Sequence, residues 1–172
     1  RTSLLANEDM YWRTAQRISW GPERYRTVFR AVWNEAGLFV RFDARDPAPW
    51  YTLTQRDAQL WKEEVVELFI DHTGRGHYRE VEINPGNAVS DLAVAPVERR
   101  FDARWNHPGL QSHVFPLTDA EGVVRGWTAI AFLPWAGFAD WPDTQPIPAL
   151  PPRGGERWHF NVFRIERPGG PS

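Results

Sequence analysis

Residues 60–71 read LWKEEVVELFID and residues 78–84 read YREVEIN, with HTGRGH between them. Successive side chains of a β-strand point to opposite faces, so parity sorts both runs. In the first, Val66, Leu68 and Ile70 share one face, while Val65, Glu67, Phe69 and Asp71 share the other. In the second, Arg79, Val81 and Ile83 oppose Tyr78, Glu80, Glu82 and Asn84. The polar, glycine-containing turn joins the two runs as a hairpin. Pairing across it sets Val81 and Ile83 beside the Val66 set, and Glu67 on the same surface as Glu82 and Asn84. A slip of one residue would turn the charges inward, so the apolar set specifies the register.

Outward from this hairpin, Arg26–Trp33 (RTVFRAVW) and Leu38–Phe42 (LFVRF) form a second one about NEAG at 34–37. DPAPW at 46–50 is too rich in proline for an interior strand, and TLTQRDAQ after it reads as a loop or a helical turn. Ala88–Ala95, Gly126–Phe132 and Trp158–Glu166 are expected as the third, fourth and fifth strands of the sheet begun by the first hairpin. LPWAGFADW at 133–141 reads as a short helix, and PDTQPIPALPPRGG at 142–155, with five prolines, as a loop able to lie over a surface. No internal repeat is present. Many short strands with spaced turn signals and little helical periodicity predict an all-β fold, an antiparallel β-sandwich of immunoglobulin-, jelly-roll- or DOMON-like kind, as one domain over 1–172.

Composition narrows the function. A net charge of -2 and a pI near 6.2 leave no basic surface to draw nucleic acid or acidic lipid. Lys62 is the single lysine, and the absence of cysteine rules out disulfides and thiolate metal sites. No stretch of about 18 apolar residues could span a bilayer, and no signal-peptide pattern is seen. The sequence opens at Arg1 rather than Met, which is compatible with a leader removed upstream. Ten Trp, ten Phe and four Tyr are more aromatic surface than a core of this size readily encloses, so some should face water or a ligand. Carboxylates and an amide beside Trp61 and Phe69 make a surface suited to sugar, whose hydroxyls need acceptors and whose ring faces need apolar contact. The competing view is that a half-solvated sheet face is simply polar.

DARDPAPW, RDAQLWKEEVVELFIDHTGRGHYREVEINPGNAVSDL, GWTAIAFLPWAGF and RWHFNVFRIER together resemble, in order and character, the family 9 carbohydrate-binding modules and their bacterial relatives. The resemblance covers most of residues 25–167 and implies a β-sandwich that holds the end of a sugar chain between two tryptophans. It further implies structural calcium, a secreted or periplasmic location, and attachment to larger polysaccharide-degrading proteins. Carried over residue by residue, Trp61 stands six before Glu67, the spacing of the stacking tryptophan and a sugar-binding glutamate. Asn84 keeps an amide position, Glu82 replaces an arginine, and Asn161 and Arg164 of FNVFR fall on a late strand that contributes an amide. The second tryptophan should follow that strand. The sequence has none after Trp158, so either a residue beyond Ser172 or one of Trp50, Trp105 and Trp158 is expected to take its place.

The residues also bear on three other chemistries. Glu64, Glu67 and Glu82 offer the acid and base of a glycosidase. His72 and His77 flank one turn and offer two zinc ligands, against solvated turn histidines. Haem binding would need axial ligands, for which Met10 and Lys62 are the sole methionine and lysine. No G-x-S-x-G supports a serine nucleophile.

Overall fold

A computed structural model describes residues 5–6, 9–139 and 149–170. Two five-stranded antiparallel sheets face each other. The first holds β1 (Arg17–Trp20), β2 (Thr27–Trp33), β3 (Gly37–Arg45), β8 (Gln111–Thr118) and β9 (Val124–Pro134), in the order β1-β2-β3-β9-β8. The second holds β4 (Val65–Asp71), β5 (Tyr78–Ile83), β6 (Val89–Ala95), β7 (Arg100–Asp102) and β10 (His159–Ile165), in the order β10-β4-β5-β6-β7. This is the β-sandwich that the strand pattern predicts.

The decisive hairpin pairs as parity requires: Val66 opposite Ile83, Glu67 opposite Glu82, Leu68 opposite Val81. Val66, Leu68, Ile70, Val81 and Ile83 all lie in the core between the sheets. Across from them β3 contributes Val40, Phe42 and Ala44, and β9 contributes Trp127, Ala129, Ala131 and Leu133. Asp71 closes the turn between β4 and β5, its carboxylate accepting the backbone N–H of Thr73, Gly74 and Gly76, each at 2.8 Å. Gly74 and Gly76 have φ of 70° and 81°, a region where an L side chain clashes, and so the turn needs glycine at both.

Two sequence expectations are corrected. Gly126–Phe132 is not a fourth strand of the sheet that holds β4 and β5; it is the middle of β9, which pairs with β3 and β8 in the other sheet. Its small inward residues Ala129 and Ala131 leave room for the large side chains of the opposite sheet, and the strand is buried on both faces over much of its length. His72 and His77 are not solvated turn residues but are 2% and 6% exposed. His72 packs edge-on against Phe138 and tilted against Trp158, and His77 Nε2 meets Glu98 at 2.9 Å.

Three strands were not foreseen: β1, β7 and β8. β8 contains Pro116, which a sheet accepts there because β8 is an edge. The predicted helix at 133–141 is reduced to Trp135–Ala139, with residues 140 and 141 outside the described residues. Of the proline loop, 142–148 also lie outside them, and Pro152 to Glu156 border an apolar cleft of about 260 Å³ between the sheets.

Candidate functional site

The outer face of the second sheet carries the candidate site. On β4 and β5 the side chains opposite the core set include Glu67, Glu80 and Glu82, and register places Leu92 of β6 beside Glu80. A short 3₁₀ turn, Leu60–Lys62, stands over this face because Leu60 is fully buried and pins it. Its Trp61 is half-buried and, with Phe101 of β7, Glu80, Glu82 and Leu92, lines a cavity of about 270 Å³. Phe101 is 62% exposed, a large apolar ring held at the sheet edge. The site therefore has two aromatic walls, an aliphatic side and an acidic floor.

The expectation of a half-solvated polar face does not hold here. Glu67 is 7% exposed and Glu82 1%. One oxygen from each of Glu67, Glu80 and Glu82 lies within 4.8 Å of the others. Glu82 stands within hydrogen-bonding reach of the Glu80 carboxyl and the Trp61 backbone N–H, yet its Oε2 is buried with no partner. Burial, and then the neighbouring carboxylates, push Glu82 up to about 9. Burial, and then Glu80, push Glu67 up to about 7. Burial raises Glu80 as well. Burial, and the nearness of one carboxyl to another, favour the protonated forms of Glu67 and Glu82.

Asn84 shares the face but has other work. Its Nδ2 donates to Leu53 O at 2.7 Å and its Oδ1 accepts the Ala88 N–H at 2.8 Å, so both ends of the amide are engaged by backbone. Glu63 secures the same 50–53 segment: its Oε2 accepts the N–H of Thr52 at 2.8 Å and of Leu53 at 3.0 Å, and Oε1 takes the Thr52 hydroxyl. Burial alone would raise Glu63, but these donors outweigh it and hold its pKa below the ordinary value.

Arg164 and Asn161 lie on opposite faces of β10. Asn161 is exposed, and register sets it opposite Phe69 on the cavity side, though it does not line the cavity. Arg164 sits opposite Val66 and therefore points inward. Its guanidinium donates to Asp46 Oδ2 at 2.8 Å, to Arg45 O at 2.6 Å and to Glu166, and lies 6.0 Å from the Trp127 ring centroid. Glu64 falls on that side too, with Asp46 and Glu166 nearby. Burial, and then Asp46 and Glu166 against the opposing Trp50 N–H, push Glu64 up to about 9. Glu64 is thus separated from Glu67 by the sheet, and the two cannot flank one glycosidic bond. The Asp46, Glu64 and Glu166 oxygens, within 4.8 Å of each other, have the donor chemistry for calcium. Arg164 already engages two of the three, so calcium there would compete with a built-in cation.

Of the tryptophans considered as a second wall, none lines the cavity. Trp158 packs with Trp135 and Phe138, Trp105 lies over Arg79, and Trp50 donates its Nε1 to Arg167 O at 2.7 Å. Sequence reasoning missed Phe101, and it placed Glu80 on the face without singling it out. The signal for Phe101 was a lone aromatic ring inside ERRFDAR, a run otherwise charged apart from Ala103. The cleft between the sheets has no Met, Lys or His in its lining, and Lys62 is on the opposite side of the second sheet, so the described residues offer no axial pair for haem there; the Met10 side chain lies outside them. No described helix is long and apolar enough to cross a membrane.

The two antiparallel five-stranded sheets make a β-sandwich, a fold the chain shares with family 9 carbohydrate-binding modules. A provisionally assigned carbohydrate-binding protein of Bacteroides uniformis superposes with a TM-score of 0.65 at 13% identity, over 88% of this chain and 71% of that one. A family 9 module of Caldicellulosiruptor kristjanssonii in complex with cellotriose gives 0.59 at 14% identity, over 92% and 69%. A family 9 module from the same organism in complex with glucose gives 0.56 at 14% identity, over 91% and 69%. No family model matches the chain, and no curated protein matches it.

Proposed function

We propose that this domain is a non-catalytic carbohydrate-binding module that takes the end of an oligo- or polysaccharide into the cavity between Trp61 and Phe101. The observation that carries the reading is the cavity itself: two aromatic rings over an acidic floor, in a fold shared with modules seen in complex with cellotriose and glucose. Trp61 and Phe101 supply apolar faces for the C–H surface of a pyranose, and Glu80 and Glu82 accept from its hydroxyls. At about 270 Å³ the cavity is a little below the ~300 Å³ at which pockets for drug-sized ligands begin, which suits a terminal ring rather than a long chain. In this reading Phe101 takes the part of the missing second tryptophan, and Glu67 tunes the floor from beside it. The domain would work outside the cytoplasm as one module of a larger protein.

The test is a glycan array followed by calorimetry on the hits. At least one oligosaccharide should bind. Trp61→Ala should weaken it about tenfold or more, since aromatic stacking on planar ligands is worth about 1–3 kcal/mol. No reducing sugar should be released. Absence of binding to any glycan by the folded domain overturns the proposal, as does hydrolysis by the parent that disappears in Glu67→Gln.

A further inference from the structure

We infer that the cavity selects a positively charged sugar, one whose terminal ring carries a free amine, over its neutral counterpart. The inference rests on the carbohydrate-binding reading above and adds the chemical class of the ring. Three observations converge on it. Glu67, Glu80 and Glu82 each bring an oxygen to within 4.8 Å of the others. Independently of that grouping, Oε2 of Glu82 is buried without any hydrogen-bond partner while its residue lines the cavity and is only 1% exposed. The remaining walls are Trp61, Leu92 and Phe101, whose side chains carry no oxygen.

A buried acceptor without a partner costs free energy until a donor arrives, and carboxylates this close repel unless a positive charge or a proton intervenes. A neutral sugar hydroxyl supplies a donor but no charge. An ammonium on the ring supplies up to three donors and the charge together, and hydrogen bonds to charged partners are the stronger kind. The aromatic walls act in the same direction, because a ring face attracts a cation and also accepts the apolar face of the sugar. A bare divalent ion fits less well. Calcium takes six to eight oxygen ligands, and here about half of its surroundings would be aromatic or aliphatic.

The experiment compares three β-linked disaccharides by calorimetry: one of glucosamine, one of N-acetylglucosamine and one of glucose. The measurements are made near pH 6.5, where an amine of α-amino type is charged. The glucosamine disaccharide should bind at least about tenfold more tightly than either neutral one, the factor that about 1.4 kcal/mol represents. In Glu82→Gln that ratio should fall toward one, and Glu80→Gln, at a less buried position, gives the same reading if the first variant fails to fold. Binding of neutral sugars that is lost in Trp61→Ala, with no preference for the amine, overturns this inference and leaves the carbohydrate reading intact. Failure of every sugar, charged or neutral, overturns both. A third titration uses calcium chloride alone. Tight calcium binding that Glu82→Gln abolishes and that blocks the glucosamine disaccharide would make this an ion site and overturn the inference.

Discussion

Replacing Arg164 with alanine should destabilise the domain severely while leaving the outer cavity's chemistry in place. The guanidinium side chain is 3% exposed and ties strand β10 of one sheet to Arg45 O at the end of β3 in the other. It is also the counter-ion for Asp46, whose side chain is 1% exposed, and for Glu166, with Glu64 fully buried beside them. Removing one partner of a buried ion pair leaves an uncompensated charge and costs about 3–5 kcal/mol. For a domain of this size each kcal/mol lowers Tm by about 2–4 °C, so the melting point should drop by roughly 6–20 °C. Arg164→Lys should fall between, because an ammonium keeps the charge but cannot reach Asp46, Glu166 and the Arg45 carbonyl as one rigid fork. The loss should shrink toward acidic pH, where protonated carboxyls need no counter-ion. Differential scanning calorimetry of the two variants measures this directly. A Tm for Arg164→Ala within about 2 °C of the parent would refute the strut, and so would loss of sugar binding at unchanged Tm.

Asn84→Ala should cost about 1–3 kcal/mol in urea denaturation, because it leaves the part-buried Leu53 carbonyl and the buried Ala88 N–H without their partner; an unchanged midpoint would mean that water replaces the amide. Stability should also depend on pH in a particular sense. Glu64 and Glu82, raised from 4.5 to about 9, hold protons that the unfolded chain has released, so stability falls as pH climbs between those values. His72 and His107, lowered from 6.5 to about 4 first by burial, stay neutral where the unfolded chain is charged, so their contribution is present above 6.5 and is lost toward 4. The two effects oppose one another from about 4.5 to 6.5 and leave a net decline from 6.5 to 9, to be read from denaturation midpoints across that range. A flat profile up to pH 9 would show that the buried carboxyls ionise without penalty.

The hairpin of β4 and β5 was legible because its apolar residues alternate with charges, and only one register buries all of the apolar set. The same alternation put Glu67, Glu82 and Asn84 on one face. It carries no information on what lies above that face, and a polar surface in the sequence is a buried acidic floor in the fold. The edge strands β7 and β8 were hidden for a different reason. Each is held by a single neighbour, and neither RFD nor the proline-bearing QSHVFPLT alternates strongly enough to announce a strand.

By itself, the sequence determined the all-β class, the five inward aliphatic residues of the central hairpin and the pairing of Glu67 with Glu82, because these follow from a two-residue period that a strand cannot escape. Only the tertiary structure decided which sheet received β9, that Arg164 and Glu64 turn away from Glu67, that Asn84 is occupied by backbone, and that Phe101 lines one cavity with Trp61. Those outcomes depend on contacts between segments far apart in the chain, such as Asn84 with Leu53 or Arg164 with Arg45. Local periodicity fixes the face a side chain takes, and packing of distant segments fixes what that face meets.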